Sequence, residues 1–113
     1  VADASLRQWK IDIIRKILIH KTLRFNKKFN FHFDGAKNHI FIKEQKSLWG
    51  SCSHSNNLNF NYKIIEKDNR IIDYLVLHEL THTIHKNHSA EFWNELARAL
   101  PNYRELKKKL REN

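Results

Sequence analysis

Apolar residues recur three and four positions apart between Ser5 and about Leu23, at Leu6, Trp9, Ile13, Ile14, Ile17 and Leu18. That period predicts an amphipathic helix able to cover a sheet. Shorter runs follow. Phe29, Phe31 and Phe33 alternate with polar residues, Asp34-Gly35 reads as a turn, and Ile40-Phe41-Ile42 comes next. Two further runs, about Leu48 to Ser53 and Leu58 to Ile64, flank the polar stretch His54-Ser55-Asn56-Asn57. These patterns predict a small antiparallel sheet of three or four strands with hairpin connections. A long helix is expected from Asp68 to about His85, another from Ser89 to Leu100, and a last one after Pro101, a residue suited to a helix start. Helix, strands, then helices give an α+β class.

Composition narrows the picture. At 113 residues the chain suits one domain, 1–113, large enough to bury a core without disulfides. Only one proline and two glycines argue against a low-complexity segment, and they leave no glycine-rich loop for a nucleotide phosphate. No apolar run approaches the roughly 20 residues that span a bilayer, and the first ten residues lack a signal-like stretch, so no membrane is expected. The default expectation is a cytoplasmic location, with which the lone Cys52 is compatible. Lys and Arg number 21 against 12 acidic residues, a net charge of +9. Such an excess admits an anionic partner, nucleic acid included, through a basic surface. Its densest cluster, Lys107, Lys108, Lys109 and Arg111, lies on the expected terminal helix, where cations also suit the negative end of the helix dipole.

The chemistry concentrates at His78-Glu79-Leu80-Thr81-His82, an HExxH pentapeptide. On a helix, residues four apart are offset by about 40° around the axis and about 6 Å along it, so both imidazoles can reach one ion. Glu79, about 100° further round than His78, can contact a metal-bound water rather than the metal, as a general base must. Zinc lowers the pKa of such a water towards roughly 7. The pentapeptide also has a supporting context. Ile72, Val76, Leu80 and Ile84 form one apolar stripe, and His78 and His82 point away from it, although Ile71 and Leu75 share the histidine side.

Catalytic zinc takes three protein ligands and keeps one position open. His85 lies about 10.5 Å along a straight helix from His78, too far to share a tetrahedral ion with both other histidines. His88 is the better third ligand, if the helix ends near Lys86 with Asn87 in a left-handed stop and Ser89 capping the next helix. Glu91 and Glu95 stay open as alternatives. Tyr62, Tyr74, Tyr103 and His85 are each able to steady an oxyanion, Trp49 and Gly50 either line a substrate groove or are a core tryptophan beside a bulge, and Cys52 reads as a small buried thiol rather than a ligand.

Trp49-Gly50-Ser51-Cys52, Leu58-Asn59-Phe60-Asn61, the HExxH stretch, Asn87-His88-Ser89 and Phe92-Trp93 together resemble the YgjP-like metallopeptidase family, related to SprT-like zincins. The resemblance covers about Ser47 to Leu110. It implies a compact zincin-like domain, with His78, His82 and His88 holding one Zn²⁺ per chain and Glu79 as base. It also implies that the strand near Trp49 borders a cleft where an extended peptide pairs with it. His85 stands where metzincins, with the same histidine spacing, have a glycine, which argues against that clan. The expected activity is therefore zinc-dependent hydrolysis of peptide bonds in a peptide or protein substrate, by a zinc-bound water that Glu79 activates. The rival is a basic nucleic-acid- or protein-binding module with a structural or vestigial zinc site. Glu79 discriminates, because a structural site has no use for an uncoordinated acid beside its ligands. Which residues bind substrate is left open by the sequence.

Overall fold

The computed structural model describes residues 2–112. In order it contains α1 (Ala2–Phe29), β1 (Ile40–Lys43), β2 (Gly50–Cys52), β3 (Leu58–Asn61), a 3₁₀ turn (Tyr62–Glu66), α2 (Asn69–Thr81), α3 (Ala90–Ala99) and α4 (Tyr103–Glu112). The α+β class and the order of elements agree with the sequence pattern. No helix among the described residues is long and apolar enough to cross a membrane.

The sheet differs from the expected all-antiparallel arrangement. Its order is β1-β3-β2, with β1 parallel to β3 and β2 antiparallel to it. β2 and β3 form the predicted hairpin, but the connection from β1 to β2 passes around the end of β3. Asn61, buried at that end, holds the passage: its Nδ2 donates to the Gln45 carbonyl at 2.9 Å and the Leu48 carbonyl at 3.1 Å, and its backbone N–H to Trp49 O at 2.8 Å. The same side chain's Oδ1 accepts from Lys63 N at 3.0 Å and caps the 3₁₀ turn. One amide thus fixes both the crossing and the exit of the central strand.

The segment 29–33 is not a strand. α1 runs on to Phe29, six residues past its expected end, and stops at Asn30, whose φ of 61° is the left-handed conformation asparagine tolerates. Phe31 and Phe33 do point into the core, as their alternation predicted. Their backbone, however, is satisfied by side chains instead of a ladder. Asn26 takes Phe33 N on its Oδ1 and gives its Nδ2 to Phe33 O, and His32 N donates to Thr83 Oγ1.

α2 lies at the centre. α1, α3, α4 and β2 all pack against it, so Ile71, Ile72, Leu75, Val76, Leu77 and Leu80 are all buried rather than one stripe of them. α1 contributes Ile14 and Leu18, and Lys21 pairs with Asp73 across the α1–α2 contact. Phe60 and Leu58 of β3, Leu96 of α3 and Leu106 of α4 complete the core.

Candidate metal centre

α2 begins at Asp68, whose carboxylate accepts from Arg70 N and Ile71 N. It ends earlier than the expected His85, at Thr81, with His82 as its cap. Two threonines explain the stop: Thr81 Oγ1 donates to Leu77 O and Thr83 Oγ1 to Leu80 O, bonds that compete with continuation of the helix. Asn87 has no left-handed backbone, since Asn30 and Asn56 are the positive-φ non-glycine positions among the described residues. Ser89 then caps α3, its Oγ accepting from Phe92 N, as expected. The early stop, the turn and the new helix carry His88 back over the last turn of α2.

His82 Nε2 and His88 Nε2 are 3.1 Å apart, and His88 Nε2 and His78 Nε2 are 3.3 Å apart. Ligand nitrogens about 2.0–2.1 Å from a tetrahedral ion stand roughly 3.3–3.4 Å from one another. The observed spacing fits such an ion, and the three ligand atoms lie within 4.8 Å of one another. The second ring nitrogens are engaged. His82 Nδ1 lies 3.0 Å from the His85 carbonyl, which only accepts, so Nδ1 carries the proton and Nε2 presents its lone pair to the cluster. His78 Nδ1 meets the Tyr74 hydroxyl at 3.2 Å. Phe92, fully buried on α3, forms the floor, with its ring centroid 5.0, 4.5 and 4.9 Å from those of His78, His82 and His88.

Burial sets the charges. Desolvation, reinforced by His82, His88 and Lys107, pushes the His78 pKa down to about 3; desolvation also lowers His82. Both rings are therefore neutral near pH 7, the form that binds metal. Glu79 is only 4% exposed and makes no hydrogen bond to another described residue; burial alone pushes it up to about 8. Its Oε2 faces Gly50, so close that a Cβ on Gly50 would lie 3.1 Å away. The missing side chain at Gly50 is what lets β2 approach α2 here. A cavity of about 360 Å³ lies over the cluster, walled by Leu48, Gly50, Ser51 and Cys52 on one side and by His82, Lys86 and His88 on the other. Lys86 ties the two walls, donating to Ser53 O at 3.0 Å and to Asn56 Oδ1.

The structure thus brings His78, His82, His88 and Glu79 together. It separates the alternatives: Glu95 pairs with Arg98 and lies 3.8 Å from the His85 ring, and Glu91 is exposed. Of the residues weighed for an oxyanion, Tyr62 donates to Glu44 away from the cluster, and Tyr103 stacks on Trp93. Tyr74 instead orients His78; its place four residues before His78 on one helix was the available signal. Trp49 packs on the core and also lines a cavity beside His78 and Glu79. Phe92 as the floor and the His85 carbonyl as an orienting acceptor had no sequence signal, because both depend on where the turn returns.

Comparison with known proteins gives a consistent picture. The chain is similar to the metallopeptidase zymogen jannalysin of Methanocaldococcus jannaschii, at 26% identity and a TM-score of 0.70, over 84% of this chain and 94% of that one. It shares the fold of abylysin, the metallopeptidase zymogen of Pyrococcus abyssi, at 15% identity and a TM-score of 0.72, over 82% and 90% of the two chains. A search of curated proteins finds no match. The family model for the YgjP-like metallopeptidase domain matches residues 2–113, and the chain therefore belongs to the YgjP-like metallopeptidase family.

Proposed function

We propose that this protein is a zinc peptidase, with His78, His82 and His88 as the ligands of one Zn²⁺ per chain and Glu79 as the general base. The observation that carries the reading is the convergence of three imidazole Nε2 atoms at tetrahedral ligand spacing beside a buried carboxyl group that makes no hydrogen bond to another described residue. A zinc ion bound there supplies Lewis acidity, which activates water and polarises a substrate carbonyl. The residues of the chain do the rest. His82, its Nδ1 held by the His85 carbonyl, and His78, held by Tyr74, keep their rings aimed at one point. Glu79 takes a proton at its carboxylate from the attacking water and returns it to the departing amine. Gly50 lets the backbone of β2 lie against that carboxylate, and β2, an edge of the sheet, offers unpaired backbone groups to an extended peptide in the cleft. The substrate class is a peptide or an unfolded protein, the chain acting as a single domain.

The test is the metal content of protein purified without added metal, wild type beside His88→Ala and Glu79→Gln, with cleavage of an unfolded protein followed for each. About one zinc per chain is expected, lost in His88→Ala and retained in Glu79→Gln while cleavage disappears. A wild type that carries no zinc and cannot be loaded refutes the assignment.

A further inference from the structure

Beside the cleft lies a second cavity of about 600 Å³, lined by Trp93, Tyr103, Arg104, Lys107, Lys108 and Arg111. Among the described residues no carboxylate lines it; Glu105, on the same helix, pairs with Lys109 at 3.0 Å. An aromatic stack joins this cavity to the metal centre. The Trp93 ring lies 5.3 Å from Tyr103 at 15° and 5.5 Å from His88 at 22°, so a single indole stands between the basic wall and a proposed ligand. The cations are held over that stack, with Lys107 Nζ 4.4 Å from the Trp93 centroid and Arg104 Cζ 5.4 Å from that of Tyr103. Lys107 is near enough to be felt at His78, and Arg111 at Tyr74.

We propose that this cavity is a substrate subsite that receives an acidic side chain, directing cleavage to peptide bonds near aspartate or glutamate. The inference rests on the peptidase reading and extends it to the substrate. Arg104, Lys107 and Arg111 around one cavity, with no lining acid among the described residues, favour a carboxylate by several weak interactions acting together. Nucleic acid is less well served, because the Trp93 ring is already engaged by His88, Tyr103 and Lys107 and offers little face on which a base could stack.

The test uses the full chain and short unstructured peptides that differ in one residue, glutamate against glutamine, moved through each position around the cleaved bond. Binding of labelled peptides to Glu79→Gln is read by anisotropy, and cleavage by the wild type as the ratio of kcat/KM for the two peptides. Both readouts are expected to favour glutamate at one position by about fivefold to tenfold, and less at high salt. The preference should vanish when Lys107→Gln and Arg104→Gln are combined; Arg104 is exposed and Lys107 half-buried on α4, and an unchanged Tm checks the fold. Equal binding of the two peptides overturns the proposal, as does a preference that survives the double substitution. Tighter binding of an oligonucleotide of matched charge, abolished by the same substitutions, overturns it in favour of nucleic acid. An acidic preference in binding with no cleavage of any peptide supports the selectivity of the cavity and counts against the peptidase reading instead.

Discussion

The chain has two glycines, and the structure predicts opposite responses when each becomes alanine. Neither has a positive φ, so the comparison isolates space from backbone strain. At Gly50 an added Cβ would stand 3.0 Å from the Asn59 carbonyl oxygen, 3.1 Å from Glu79 Oε2 and 3.2 Å from Leu75 Cδ1. The first neighbour is the backbone of the paired strand and cannot swing aside. At Gly35 the nearest atom, Leu23 Cδ2, is 3.6 Å away, an ordinary contact. Overpacking a fitted site costs about 1–3 kcal/mol, whereas an unstrained glycine-to-alanine change gains about 0.4–1 kcal/mol by restricting the unfolded chain. At about 4 °C per kcal/mol for a chain of this size, Gly50→Ala should lower Tm by roughly 4–12 °C while Gly35→Ala leaves it level or raises it slightly. Thermal melts of the metal-free proteins measure both. Cleavage gives a second reading, since relief of the Gly50 contact displaces the Glu79 carboxyl; Gly50→Ala should be impaired even well below its Tm. Equal melting temperatures and equal activities for the two variants would refute the argument that Gly50 is the point of closest approach between β2 and α2.

Other consequences are testable on the same material. In metal-free protein the Glu79 pKa, about 8, lies above its ordinary 4.5, so between those values the folded state binds more protons than the unfolded. The stability this group contributes is complete below about pH 4.5 and is lost as pH rises through 8. Glu79→Gln should therefore match the wild type in unfolding free energy at acid pH and exceed it at pH 9, by at most about 5 kcal/mol at about 1.4 kcal/mol per pH unit, as read by urea unfolding. A difference that does not grow with pH would contradict the burial of the carboxyl. Tyr74→Phe removes the hydroxyl at His78 Nδ1 and should weaken zinc affinity by about tenfold or more in a chelator competition, with little change in the far-ultraviolet spectrum. Ser89→Ala removes the acceptor for Phe92 N and should cost about 1 kcal/mol in urea unfolding, with Ser89→Thr largely restoring it.

Local patterns carried much of this design. The HExxH pair was readable because the four-residue helical repeat is set by the backbone alone, and the Ser89 cap because its partner is three residues away. That His88 joins His78 and His82 was readable, although the route that delivers it was not. The helix was expected to end on the conformation of Asn87, and it ends instead where Thr81 and Thr83 draw off carbonyls of the preceding turn. Alternation at Phe31 and Phe33 correctly signalled burial and falsely signalled a strand, because period two reports which side chains face inward and says nothing about what the backbone bonds to. The parallel pairing of β1 and β3 depends on Asn61 holding a connection from three directions, and nothing in the sequence near β1 announces it. The basic helix was visible as charge. Its cavity required the stack of Trp93 between two helices' worth of neighbours, which only packing creates.

The centre is also unevenly distributed along the chain. All three histidines lie within residues 78–88, and their aromatic floor follows at Phe92, so two short helices and one turn hold the whole candidate ligand set. Closing so short a loop costs little chain entropy. Glu79, by contrast, acquires its buried setting only when β2 arrives from a distant part of the chain and Gly50 seats against it. The convergence of the three imidazoles is thus a property of a local hairpin of helices, and the buried setting of Glu79 is a property of the finished tertiary structure. During folding, the three imidazoles can therefore come together before the carboxyl group beside them is enclosed.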